Sequence, residues 1–152
     1  MTQRSPLSTI LSGVAGEYFV AGELSRRGYV ASITLRNTRG IDILASNSDA
    51  TKTVGIQVKT HQGTGKDWIV SKTAEGDSAE NLFYVFVRLN ALSEPTYFVV
   101  PRKVVAEYAR ENHARWLSTP GRNGKPHADG DMRKFADPAN QYLGRWDLLG
   151  LD

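Results

Sequence analysis

Three short stretches of the chain carry residue types that could do chemistry together. Val54-Gly55-Ile56-Gln57-Val58-Lys59-Thr60 alternates, so in a strand Val54, Ile56 and Val58 face one side while Gln57 and Lys59 share the other. Ile41-Asp42-Ile43-Leu44-Ala45 sets one carboxylate in an otherwise apolar segment. If the two segments form an antiparallel hairpin with Ala45 paired to Val54, Asp42 falls opposite Gln57, and Asp42, Gln57 and Lys59 converge. The loop between them, 46 to 53, could shift that register by two, but the alternation itself holds Gln57 and Lys59 on one face. The third stretch is helical in pattern. Between Ile10 and Gly22 its one charged residue is Glu17, and the positions three and four away are Gly13, Val14, Val20 and Ala21. Burying an unpaired carboxylate costs on the order of several kcal/mol, so a partner must come from elsewhere in the fold, such as a cation. Carboxylates and an amide oxygen beside an ammonium suit a hard divalent cation, because Mg²⁺ takes one or two carboxylates and fills its shell with waters and substrate oxygens.

Those residues need elements to hold them. Apolar residues at 11, 14, 15, 18, 21 and 24 predict a helix from Leu11 to about Arg27, with Ser8 or Ser12 as N-cap and Gly28 as its stop. Strands are expected at Tyr29 to Leu35, Ile41 to Ala45 and Val54 to Thr60, with turns at Asn37-Thr38-Arg39-Gly40 and Asn47-Ser48-Asp49-Ala50. Trp68-Ile69-Val70, Leu82 to Leu89 and Tyr97 to Val100 give three more, rich in β-branched and aromatic residues. Pro101 opens a second helix with Val104, Val105, Tyr108, Ala109 and Trp116 on one side. Thr119 to Asp131 is Gly/Pro-rich and reads as an exposed loop, followed by a short segment whose Tyr142, Leu143, Trp146 and Leu148 could dock on the core. Helix, five or six strands, helix and tail imply an α/β or α+β sheet with helices packed on it.

A chain of 152 residues is expected to form one domain, 1–152. The absence of Cys excludes disulfides, thiolate catalysis, zinc ribbons and Fe–S clusters. Net charge is +3, a basic balance too mild to identify a partner by itself. Residues 1–60 hold seven Lys+Arg against four Asp+Glu. Within them Arg26, Arg27, Arg36 and Arg39 form either a phosphate-holding patch or a solvated face. The longest apolar run, Leu82 to Val87, is six residues, and Met1 to Pro6 lacks a signal peptide's apolar region, so a soluble cytoplasmic protein with no membrane contact is expected.

In the order Gly16-Glu17 on an N-terminal helix, Gly40-Ile41-Asp42 entering a strand and Gln57-Val58-Lys59 on the next, the chain resembles the PD-(D/E)XK nuclease superfamily. The branch of Holliday-junction resolvases and Mrr-type restriction endonucleases is the most similar, and the resemblance covers about residues 8–72. Gln57 departs from the usual Asp or Glu, although some branches carry Gln there, and no Pro precedes Asp42. The resemblance implies a restriction-endonuclease-like α/β core, a mixed central sheet flanked by helices, with the second helix and tail at about 101–152. It implies a Mg²⁺-dependent endonuclease hydrolysing DNA phosphodiester bonds, of a repair, recombination or restriction type, with Mn²⁺ as a substitute. In that chemistry Asp42 is the direct ligand, the Gln57 oxygen and the Val58 carbonyl complete the protein's share, and Glu17 reaches in directly or through water. Lys59 orients and helps deprotonate the attacking water or stabilises charge developing on the phosphate. Cutting two strands takes two sites, so a homodimer is expected. Gln57 also leaves open a catalytically inactive nuclease-fold module that binds nucleic acid or a protein partner.

Other chemically conspicuous residues read more plainly. His61 reads as a solvated loop residue rather than a substrate contact, and Trp68, Trp116 and Trp146 as core or docked residues rather than base-stacking platforms. His113 and His127-Ala128-Asp129 have no partner at a metal-ligand spacing and receive no role.

Overall fold

The computed structural model describes residues 5–35, 39–76 and 79–152. Helix α1 runs Thr9–Arg26 and is followed by strands β1 (Val30–Ile33), β2 (Ile43–Ser46), β3 (Thr53–His61) and β4 (Asp67–Ser71). A 3₁₀ turn at Lys72–Glu75 leads to β5 (Leu82–Arg88) and β6 (Thr96–Pro101), then to α2 (Arg102–Ser118) and β7 (Met132–Ala136). A second 3₁₀ turn, Trp146–Leu149, lies near the C-terminus.

Local chemistry sets the ends of α1. Ser8 is the cap, its hydroxyl accepting the Leu11 N–H at 3.2 Å, while Ser12 is buried inside the first turns. Gly28 stops the helix with φ +91°, and the Tyr29 N–H closes the end on the Leu24 carbonyl at 3.1 Å.

The central sheet has the order β1-β2-β3-β5-β6. Its neighbours are antiparallel except for β3 and β5, which run parallel, so the sheet is mixed as expected. A parallel pair needs a crossover, and here residues 62 to 81 supply it. That crossover corrects one expectation. The strand around Trp68 is real, but it leaves the sheet and pairs instead with β7, which the sequence pattern did not separate from the tail.

Alternation divides the core into two faces. On one, Val54, Ile56 and Val58 of β3 pack with Ile43, Val85, Val20 and Leu24. The docked C-terminal residues Trp146, Leu149 and Leu151 extend this aliphatic layer, as the sequence suggested for the tail. On the other face Tyr84, Phe86 and Phe98 meet Trp68, Phe135 and Val105. Phe86 stacks on Phe135 with ring centroids 4.5 Å apart, and the Trp68 indole N–H donates to the Val87 carbonyl at 3.1 Å. No helix among the described residues is long and apolar enough to cross a membrane.

Candidate active site

Two contacts fix where Glu17 and Asp42 stand. Gly16 of α1 lies directly against Thr60 of β3, so close that a Cβ there would fall 1.8 Å from the Thr60 hydroxyl oxygen. The glycine permits that backbone approach, and Glu17 is the next residue, half-buried. On the sheet side, Gly40 turns the chain with φ +71° two residues before Asp42.

Asp42 is then held by both neighbouring strands. Its carbonyl accepts the Thr34 N–H at 2.9 Å, and its own N–H donates to the Ile56 carbonyl at 2.8 Å. The ladder of β2 with β3 has Ala45 opposite Val54 and Ile43 opposite Ile56, the register assumed from the sequence. Past Ile43 the regular pairing stops, and the Asp42 carboxylate takes over from a backbone carbonyl. Its Oδ2 accepts the Val58 N–H at 2.7 Å, so Asp42 straddles Gln57, bonded to the residues on either side of it. A carboxylate has about four lone-pair sites and this bond uses one, leaving oxygen donors for a cation.

Glu17 and Asp42 line one cavity of about 290 Å³, together with Thr9, Thr34 and the apolar Ile10 and Val14. Gln57 and Lys59, both half-buried, do not line it. They sit on the opposite face of β3 from α1, level with Tyr84 and Phe86 of β5. The four side chains therefore approach from the two faces of one strand rather than from one. Among the described residues no three His, Cys, Asp or Glu side chains group closely enough to hold a metal by themselves.

Arg102, which the sequence reading passed over, stands beside this edge. Its Nη1 would lie 3.6 Å from a Cβ at Gly40, and its buried Nε has no hydrogen-bond partner among the described residues. Tyr84, level with Gln57, senses both charges: burial raises its pKa, Arg102 opposes the rise and Asp42 adds to it. A signal existed in the sequence, since Arg102 directly follows a helix-opening Pro, where the helix dipole favours acids over bases.

The arginines expected near phosphate separate. Arg26 and Arg27 both pair with Glu23, at 3.1 and 3.5 Å, and Arg27 also lies over the Trp146 ring. They are about 14–15 Å along the helix axis from Glu17, at 1.5 Å per residue. Arg39 is exposed in the turn leading to Asp42, and Arg36 lies outside the described residues. His61 is the half-buried end of β3, not a solvated loop residue, and its Nδ1 accepts the Gly63 N–H at 3.1 Å.

The chain has the restriction-endonuclease-like fold, as the order of its motif residues suggested. The bacterial homing endonuclease I-Ssp6803I superposes with a TM-score of 0.56 at 15% identity, over 94% of this chain and 92% of that one. The Holliday junction resolvase Hjc of the archaeal hyperthermophile Archaeoglobus fulgidus gives a TM-score of 0.48 at 16% identity, over 86% and 88%. The chain matches no protein-family model and no curated protein sequence.

Proposed function

We propose that the chain is a divalent-metal-dependent endonuclease that hydrolyses DNA phosphodiester bonds, of the repair, recombination or restriction type. The observation that carries this is the Asp42 carboxylate, fixed by the Val58 N–H at 2.7 Å in a cavity that Glu17 also lines. The donor set fits a hard cation: two carboxylates, an amide oxygen and a backbone carbonyl, all oxygen. Asp42 and Glu17 would hold Mg²⁺ or Mn²⁺, with Gln57 and the Val58 carbonyl completing the protein's share. Once bound, the cation supplies charge neutralisation at the scissile phosphate and acidifies water.

The rest falls to the chain's own side chains. Lys59 orients the attacking water, takes part in moving its proton and counters charge developing on the phosphate. Arg102, whose Nη1 stands beside Gly40, holds a phosphate oxygen through its guanidinium. Arg39 adds a backbone contact beside the cavity. Cleavage of both strands then requires two copies, in keeping with a homodimer.

A second reading is favoured by a specific feature. Gln57 stands where a third carboxylate would complete the ligand set, and without it the fold could serve to bind nucleic acid or a protein without cutting. A panel of linear, nicked, branched and single-stranded DNA with Mg²⁺, Mn²⁺ or EDTA separates the two. Cleavage with metal and none with EDTA is expected. Binding without cleavage on every substrate would establish the inactive module instead.

A further inference from the structure

A second cavity, about 590 Å³, lies between the last turns of α2 and β7. Trp116 on its wall is about 21 Å along α2 from Arg102, at 1.5 Å per residue, so this cavity is distinct from the Asp42 edge. Its volume falls in the range of about 300–1,000 Å³ typical of small-ligand sites.

The expectation that all three tryptophans are core or docked residues divides here. Trp68 and Trp146 are 2% and 4% exposed, whereas Trp116 is 42% exposed and stands in a column of rings. The His127 ring stacks 4.0 Å from the indole centroid, and His113 lies 5.4 Å away on a nearly parallel plane. The loop expected merely to be exposed delivers His127. Its turn closes when the Gly121 N–H donates to the Lys125 carbonyl at 2.8 Å, and Gly121 lies against the imidazole. Asp129, from the end of the same loop, meets His113 Nε2 at 2.8 Å and fixes that ring.

Cations border the aromatic wall. Arg115, Arg133 and Lys134 all line the cavity. Arg133 is buried and bound to Glu75, so it belongs to the structure. Lys134 pairs with Asp67 at 3.2 Å with both side chains about half exposed, a contact worth little and readily exchanged. No carboxylate among the described residues lies within ion-pair distance of Arg115. The C-terminal end of a helix disfavours an anion, so any phosphate here must be held by these side chains and not by backbone.

Flat rings with mobile cations beside them match one ligand chemistry, a planar base carrying a phosphate. We propose that this cavity binds an unpaired nucleotide, its base adding to the Trp116 column and its phosphate meeting Arg115 and Lys134; the choice of a nucleic-acid ligand rests on the nuclease reading. A paired base presents only its edges, so the site takes nucleotides from a single-stranded or frayed segment, or a free mononucleotide.

Trp116 is the exposed indole of the three, so a ligand that stacks there should quench its share of the intrinsic fluorescence. The test titrates full-length protein carrying Asp42→Asn, in EDTA, with a short oligothymidylate, dAMP or a blunt duplex. Quenching by the oligonucleotide is expected in the parent, and with the affinities of all variants read from the anisotropy of an end-labelled oligothymidylate, Trp116→Ala or Arg115→Ala should each weaken its binding about tenfold, the scale of one base stack or phosphate contact. Duplex binding should change little. Trp116→Phe keeps a ring and should retain most of the affinity, which separates loss of stacking from loss of fold. Quenching by dAMP as well identifies the nucleotide itself as sufficient, whereas quenching by the oligonucleotide alone identifies the strand as the source. Unchanged fluorescence with every ligand, or equal affinities in Trp116→Ala and its parent, overturns the proposal. Neither cleavage nor metal enters this measurement, so an enzyme that cuts without quenching loses only the second site, and one that quenches without cutting loses only the endonuclease reading.

Discussion

Against α1 the central sheet presents Val54, Ile56 and Val58, and against α2 and the β4–β7 pair it presents Tyr84, Phe86 and Phe98. The first face is aliphatic and depends on a close backbone approach, with Gly16 seated on Thr60. The second is aromatic, filled by large rings that tilt or stack against one another. Glu17 belongs to the first side, Gln57 and Lys59 to the second, and Asp42 lies at the edge where they meet. On the proposed chemistry, Glu17 on the aliphatic side and Asp42 at the edge hold the metal, with Gln57 added from the aromatic side, whereas proton handling falls to Lys59 on the aromatic side alone. Perturbing one side should then separate the two functions.

Asp42 gives the largest expected effect, because it serves both. Asp42→Asn keeps an oxygen to accept the Val58 N–H but removes the charge, so cleavage should fall below detection while the melting temperature holds. Asp42→Ala should in addition lose about 1–3 kcal/mol of stability, the cost of a buried N–H without its acceptor, measurable by denaturant titration. Lys59→Ala comes next, slowing cleavage by about 10²–10⁴ with Mg²⁺ affinity unchanged; a matching fall in affinity would show that the faces are not separable. On the aliphatic side Gly16→Ala forces α1 off Thr60 and should cost about 1–3 kcal/mol, together with a higher Mg²⁺ requirement as Glu17 shifts.

Gln57→Glu sharpens the comparison in the opposite direction. If Gln57 is a ligand, a carboxylate in its place raises divalent-cation affinity, and added Mg²⁺ should lift the mutant's melting temperature more than the wild type's. A mutant that melts lower and gains nothing from Mg²⁺ would count against the metal site. The smallest effect is alkaline. Burial, followed by the Glu23 carboxylate, pushes the Tyr97 phenol up to about 12, from an ordinary value of 10.0. A raised folded-state pKa gives stability that is complete below pH 10 and is lost as pH climbs from 10 through about 12. Tyr97→Phe should flatten that decline in denaturation midpoints, leaving the share from Tyr84 on the aromatic face.

Much of this arrangement was legible in the residues. Alternation through Gln57 and Lys59 follows from period-two patterning, which a one-residue slip would invert, whereas the pairing of Ala45 with Val54 was an assumption that a shift by two would have left equally alternating, and the structure has it. The helix stop at Gly28 and the mixed sheet were equally readable. Strand β7 was not, because Met132-Arg133-Lys134-Phe135-Ala136 turns a charge inward at Arg133, and Glu75, far away in sequence, makes that burial tolerable together with the nearby Gly130 carbonyl. The separation of Glu17 from Gln57 and Lys59 across β3 escaped for a similar reason. Periodicity gives the face a residue occupies, but which helix covers that face is decided by the packing of the whole chain. His127 and Trp116 likewise meet only because a loop folds back, and no spacing rule encodes that.

The pairing of β4 with β7 has a kinetic side. It joins Asp67–Ser71 to Met132–Ala136, so a loop of about sixty residues must close before either strand gains a partner, and closure entropy rises with loop length. The β5–β6 hairpin and the α1 contacts are far more local and can form early. Trp68 and Phe86 must therefore wait, uncovered, until Phe135 arrives. The aromatic face is thus completed late, as is the part of the aliphatic layer that Trp146, Leu149 and Leu151 supply, and during synthesis its uncovered rings are a surface at which an unfinished chain can stick to others.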